Sequence, residues 1–104
     1  MDLIPEPVKF EWDKGNLDKN INKHGIKNQE AEEVFVNKPA VLVDDKKHSK
    51  TEKRYMILGR TDSARKLSVF FTLRRDRVRI ISSRPMSVKE RRLYEQKAKS
   101  YTEI

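Results

Sequence analysis

The sequence predicts an α+β fold: an antiparallel β-sheet of four to five strands, with two N-terminal helices and one C-terminal helix covering one of its faces. Three observations carry that expectation. Between Ala40 and Ser83 the apolar residues fall into short β-branched and aromatic runs joined by short polar links. Such links suit antiparallel neighbours, whereas parallel pairing needs crossovers of roughly a dozen residues. Upstream, apolar residues recur at helical spacing between Asp or Asn and a following Gly or Pro. Downstream, Ser87-Val88-Lys89-Glu90 has the Ser-x-x-Glu spacing of a capping box.

Taken in order, Pro5 and Pro7 keep residues 1–7 an extended arm. Val8, Phe10 and Trp12 alternate with Lys9 and Glu11, the period-2 mark of a half-buried strand. Asp13 stands at an N-cap, Leu17 and Ile21 lie four apart, and Gly25 supplies the stop, which predicts a helix of about 11 residues. Asn28 caps a second helix with Ala31, Val34 and Phe35 as its stripe and Pro39 beyond its end. Strands are predicted over Ala40–Val43, Tyr55–Gly59, Leu67–Leu73 and Val78–Ser83, the last two joined tightly through Arg75 and Asp76. The capping box opens a helix through about Lys99, and residues 97–104 form a tail.

At 104 residues the chain is expected to be a single domain. Leu, Ile, Val and Phe together number 26, enough for a small core, while 38% charged residues demand an ionic surface. No apolar stretch approaches the roughly 18 residues of a membrane span, and the N-terminus lacks a signal peptide's apolar core. With no cysteine there is neither disulfide framework nor thiolate chemistry, as suits the cytoplasm. Two separated histidines, His24 and His48, argue against a built-in metal site. Only three glycines and no Walker-type loop leave no nucleotide cofactor signature, so no cofactor is expected.

Charge is distributed unevenly. Residues 1–53 carry ten Lys and no Arg against eleven acids, a net of −1, whereas residues 54–104 carry ten Arg and four Lys against five acids, a net of +9. Arginine forks match phosphate oxygens bidentately and stack on bases, so this asymmetry points to a polyanion or an acidic protein. Strand alternation sets Arg77, Arg79, Ile81 and Ser83 against Val78, Ile80 and Ser82, giving a cationic and a core face. Arg54 and Arg60 flank the Tyr55–Gly59 strand, so Arg54, Arg60, Arg77, Arg79 and Arg84 together form a candidate phosphate cradle. The competing reading is edge-strand arginines that only block aggregation. On the last helix Glu90, Arg91 and Tyr94 share a face, with Glu90 also explained as the capping partner of Ser87. His24, in the last turn of the first predicted helix, suits the helix dipole.

The stretches Phe10-Glu11-Trp12-Asp13, Asn20 with Lys23-His24-Gly25, Ala31 to Phe35, Glu52 with Arg54, Gly59-Arg60, Val69 to Thr72, and Arg79-Ile80-Ile81-Ser82 leading to Arg84, Glu90 and Tyr94 together resemble the BrnT family. These are toxins of type II toxin-antitoxin pairs with a RelE-like fold. Asn16 departs from the lysine that many members carry. The resemblance implies a cytoplasmic ribonuclease that halts translation, a BrnA-like antitoxin that neutralises it, and promoter DNA bound by the toxin-antitoxin complex. It carries over Arg54, Arg60, Arg79, Arg84, Glu90 and Tyr94 as motif matches. The chemistry then expected is metal-independent attack of a ribose 2′-OH on phosphate. Arg79 and Arg84 would stabilise the transition state, with Glu90 as base and Tyr94 as acid or stacking partner. Arg54, Arg60, Arg77, Arg91 and His24 would contact RNA. A non-catalytic nucleic-acid-binding module and a pure partner-binding protein are the alternatives.

Overall fold

The computed structural model describes residues 3–18, 23–48 and 51–102. Its elements run α1 (Asn28–Val36), β1 (Val41–Asp44), a 3-10 turn (Lys46–His48), β2 (Tyr55–Arg60), β3 (Lys66–Arg74), β4 (Arg77–Pro85) and α2 (Val88–Thr102). The four strands form an antiparallel meander in chain order. Arg75 and Asp76 close the β3–β4 hairpin, both with positive φ (50° and 65°), the geometry whose twist matches antiparallel strands.

Alternation along the strands builds two cores. On one face Ile57, Leu67, Val69, Phe71, Val78 and Ile80 meet Ala31, Val34 and Phe35 of α1. Fully burying one Ile or Phe there contributes roughly 1.5–3 kcal/mol. Phe35 meets the rings of Phe10 and Phe71 edge-on at 5.4 and 5.0 Å. Gly59 lets α1 come this close, because a Cβ there would lie 2.7 Å from Val34 Cγ1. On the opposite face α2 brings Leu93 and Tyr94 onto Val41, Met56, Leu58 and Met86. The helices therefore lie on both faces, which corrects the one-face expectation. The two apolar stripes of β2, Ile57 and Leu58, point opposite ways and each needs its own cover.

The sheet has four strands, and the expected fifth at Val8–Trp12 reduces to a single parallel bridge between Phe10 and Val78. Glu11 N–H donates to Val78 O and Val78 N–H to Lys9 O, both at 2.8 Å. Asp13 then starts a turn that ends the pairing. The described residues hold two full helices rather than three. Where an N-terminal helix was expected, residues 14–18 form turns, Leu17 is exposed and Asp18 is left-handed at φ 57°. Asp18 is pinned there by reciprocal hydrogen bonds with Asn28. Asn20 and Ile21 lie outside the described residues, while Lys23 and His24 are helical and Gly25 (φ 64°) supplies the expected stop.

Asn28, engaged with Asp18, is not the cap of α1. Lys27 occupies that position, and its N–H donates to Glu30 Oε1. The capping box of α2 is present as expected: Ser87 N–H donates to Glu90 Oε1 and Glu90 N–H to Ser87 Oγ. The N-terminal arm also departs from its reading as a plain extension, because Ile4 is buried in the α1-side core.

Candidate polyanion-binding cleft

A register shift in β4 assembles the cationic face. Phe70 pairs with Ser82 and Phe71 with Ile80, so Ile81 is an extra residue in the strand. Arg79 and Arg84 are five apart and would lie on opposite faces under strict alternation; the bulge returns both to the α2 face. There Arg79 lies opposite Thr72, and Arg84 opposite Ser68. Ser83 correspondingly turns to the core face opposite Val69, and Ser82 leaves it, the reverse of the expected alternation.

Where α2 does not reach, this face opens into a cleft of about 540 Å³, lined by Arg54, Thr72, Arg74, Arg79, Glu52 and the Gly15–Asn16 turn. Arg79 Nη1 and Nη2 donate to Asp13 at 2.7 and 3.0 Å, and Nη1 reaches Glu11 at 3.4 Å. Arg74 makes the same kind of fork with Glu52 at 2.8 and 3.0 Å and lies 3.8 Å from Glu11. The sequence Asp13–Arg79–Glu11–Arg74–Glu52 is thus one alternating ion network. Arg79 hydrogen bonding holds the Asp13 carboxyl below its usual range, and Arg74 does the same for Glu52. Both guanidiniums are raised by the same bonds, so they stay cationic.

The local sequence builds this turn for that pair. Asn16 is buried, and its Nδ2 donates to the carbonyls of Glu11 and Ile80 at 2.9 Å each while its Oδ1 accepts from Asp13 N–H. It staples the Asp13 turn to β4 beside Arg79. Gly15 keeps the approach open, since a Cβ there would lie 2.9 Å from Arg79 Nη2 and 3.1 Å from Asp13 Oδ1.

The nine residues singled out from sequence do not converge on one centre. Arg54 and Arg79 line the cleft. Arg84 grips Glu90 through bonds of 2.6 and 2.7 Å and lies over the Phe70 ring. Glu90 Oε1 also accepts from Ser68 Oγ and Ser87 N–H, which makes four hydrogen bonds to the carboxylate. Burial alone would raise its pKa, but the Arg84, Ser87 and Ser68 hydrogen bonds prevail and bring it down to about 2. Tyr94 is buried, its hydroxyl donating to Pro39 O at 2.8 Å, and burial pushes its pKa up. Arg60 lies beside Tyr94 in a separate groove and donates to Lys38 O. Arg77 is exposed at the β3–β4 hairpin, opposite Arg74, and Arg91 is exposed on the first turn of α2.

His24 does not line the cleft. Its carbonyl and that of Gly25 are capped by Arg65, which supplies the cation expected at that helix end. Sequence reasoning missed Arg74 and Thr72 as cleft residues and saw Asp13 only as a cap. The period-2 link between Thr72 and Arg74 was the available signal, once Thr72 was known to face Arg79.

Two arginines held in forks on one sheet face, inside a small basic α+β domain, are chemistry suited to a polyanion. The family model for the ribonuclease toxin BrnT of type II toxin-antitoxin systems matches residues 12–90, from the turn that holds Arg79 to the capping glutamate of α2. The chain belongs to that family, and membership implies an antitoxin protein as partner. No individually curated protein matches the chain. Among the described residues, no helix is long and apolar enough to cross a membrane.

Proposed function

We propose that the protein is an endoribonuclease toxin that cuts RNA without a metal ion, inhibits translation in the cytoplasm and is neutralised by a cognate BrnA-like antitoxin, the pair binding its own promoter DNA. The observation that carries the reading is the Arg79 fork, held by Asp13 at the mouth of a cleft that Arg54 and Arg74 also line. A preorganised guanidinium aimed at developing phosphorane charge is worth on the order of a few kcal/mol in the barrier.

In this mechanism the ribose 2′-oxygen attacks the adjacent phosphorus and the bond from phosphorus to the 5′-oxygen breaks, leaving a 2′,3′-cyclic phosphate and a 5′-oxygen that takes its proton from water. Arg79 stabilises the equatorial oxygens, and Arg54 holds a flanking phosphate. When phosphate takes over the Arg74 fork, Glu52 loses the hydrogen bond that holds its carboxyl below the usual range, which makes it the stronger base for the 2′-hydroxyl proton. Glu90 and Tyr94, read from sequence as base and acid, serve here as scaffold. A carboxylate with a pKa of about 2 and four hydrogen bonds is a poor proton acceptor at neutral pH. Arg60, Arg77 and Arg91 extend the basic surface along which longer RNA lies.

The test is cleavage of in vitro transcribed RNA by purified protein in EDTA, beside an Arg79→Ala variant of matched circular dichroism. Cleavage in EDTA that the variant loses is the expected result. Undiminished cutting by the variant would remove Arg79 from the chemistry, and salt-sensitive binding without any cutting would favour the binding-module alternative.

A further inference from the structure

Among the described residues two buried side-chain hydroxyls have no hydrogen-bond partner, Thr72 Oγ1 and Ser83 Oγ. They sit on opposite faces of the sheet. Ser83 pairs with Val69 on the apolar side, under α1. Thr72 lies on the cleft side, directly opposite Arg79, in the wall that Arg54 and Arg74 complete. An unpaired buried hydroxyl carries a desolvation cost with no return in the free protein. At Ser83 the cost is limited to a small group in a tight core. At Thr72 it falls among three arginines, where an arriving anion brings the missing acceptor.

We propose that Thr72 is a substrate-binding residue, its hydroxyl donating to a non-bridging oxygen of the RNA phosphodiester that Arg79 holds. The inference rests on the ribonuclease reading of the cleft and adds a neutral donor to its cationic ones. Arginine forks attract any anion, the chain's own Asp13 and Glu52 included. A hydroxyl fixed by a β-branched side chain in the middle of a strand instead demands a particular position of the phosphate. That distinguishes a phosphate seated for in-line attack from one merely attracted to the surface.

The experiment compares wild type, Thr72→Val, Thr72→Ser and Ser83→Ala in the full chain. It measures Kd for a non-cleavable 2′-O-methyl RNA oligonucleotide and for single-stranded DNA of the same sequence, together with cleavage of ordinary RNA and thermal melting. Thr72→Val keeps the shape and removes the donor. It should weaken both oligonucleotides about tenfold and slow cleavage at least as much, while melting at or above the wild-type temperature. Thr72→Ser should stay within about twofold of wild type, and Ser83→Ala should leave binding and cleavage unchanged. Wild-type Kd values for Thr72→Val would overturn the proposal, as would a loss confined to one of the two oligonucleotides. Should wild type bind without cutting, the ribonuclease reading fails while the Kd ratio still decides Thr72. Should it bind neither, both fail.

Discussion

Arg79 and Arg84 stand on the same strand and the same face, and each is held by a carboxylate through two short hydrogen bonds, yet their surroundings divide them. Arg84 meets Glu90, whose side chain is only 15% exposed and whose remaining acceptor capacity goes to Ser68 and Ser87. Arg79 meets Asp13, 54% exposed and carried on a turn at the rim of an open cleft. The first pair, with four hydrogen bonds to its carboxylate, ties the start of α2 to β3 and β4. The second stands at the rim of the open cleft; the Arg79 side chain is itself only 14% exposed, but its carboxylate partner is exposed and can be displaced at little desolvation cost. One pairing chemistry thus serves as a clasp in one place and, in the proposed ribonuclease, as a primed site in the other, and what separates them is the exposure of the acid.

The largest effects should come from deleting each arginine, and they should fall on different observables. Arg79→Ala should lower RNA cleavage by roughly 10²–10³-fold while the melting temperature changes little, since its partner Asp13 returns to water. Arg84→Ala should do the reverse, costing about 2 kcal/mol of unfolding free energy, because Glu90 is left part-buried without its cation. Denaturant unfolding and a cleavage assay on both variants would break the comparison if Arg84→Ala proved fully stable and inactive.

Acid titration sharpens the same contrast. Glu90 has a pKa of about 2 in the fold against an unperturbed 4.5. Its folded pKa is depressed, so its contribution is complete above about pH 4.5 and disappears as pH falls through about 2. The shift corresponds to up to about 3 kcal/mol. Glu90→Gln should therefore flatten the fall in unfolding free energy between about pH 4.5 and pH 2. An unchanged pH profile in that variant would show that the clasp is not the acid-sensitive element.

Two glycines repeat the division on a smaller scale. A Cβ at Gly59 would meet Val34 Cγ1 at 2.7 Å and the Val34 carbonyl at 3.2 Å, the second of them backbone that cannot swing aside. Gly59→Ala should cost about 1–3 kcal/mol, read by urea unfolding. A Cβ at Gly15 would meet only the ends of Arg79 and Asp13. Gly15→Ala should leave stability nearly unchanged and lower cleavage about tenfold through a misaligned guanidinium. Loss of stability in both variants would mean that the Asp13 turn belongs to the core rather than to the site.

The four strands of the sheet were legible in the sequence to within about two residues, because alternation, polar links and the Arg75-Asp76 turn are local signals, whereas the same alternation at Val8–Trp12 yields only a bridge. The capping box of α2 was legible for the same reason. The start of the first helix was not: Asp13 at an N-cap with Leu17 beyond it concealed the turns over residues 14–18 and the left-handed Asp18, set by Asn28 ten residues away. The site was half legible. Arg79 and Arg54 stand out as arginines in a strand pattern, but the bulge at Ile81 decides which arginines share a face, and nothing in β4 alone reveals it. The carboxylates that pair with Arg79 and Arg74 come from Asp13, Glu11 and Glu52, contacts across distant parts of the chain that no local period encodes.

The smallest expected effect lies where local chemistry and fold disagree outright. Arg75 and Asp76 both adopt positive φ to close the β3–β4 hairpin, a conformation that Asn and Gly reach with less steric cost. Replacing the pair by Asn-Gly should raise unfolding free energy by about 1 kcal/mol. It should leave cleavage within about twofold, because neither residue lines the cleft although Arg74 and Arg77 flank the turn. A gain in stability with cleavage intact would show that the tip of the hairpin is dispensable to the arginine network. A fall in cleavage would extend the site beyond Arg74 to the exposed cation of Arg75, and so move the boundary between the two regions by a whole turn.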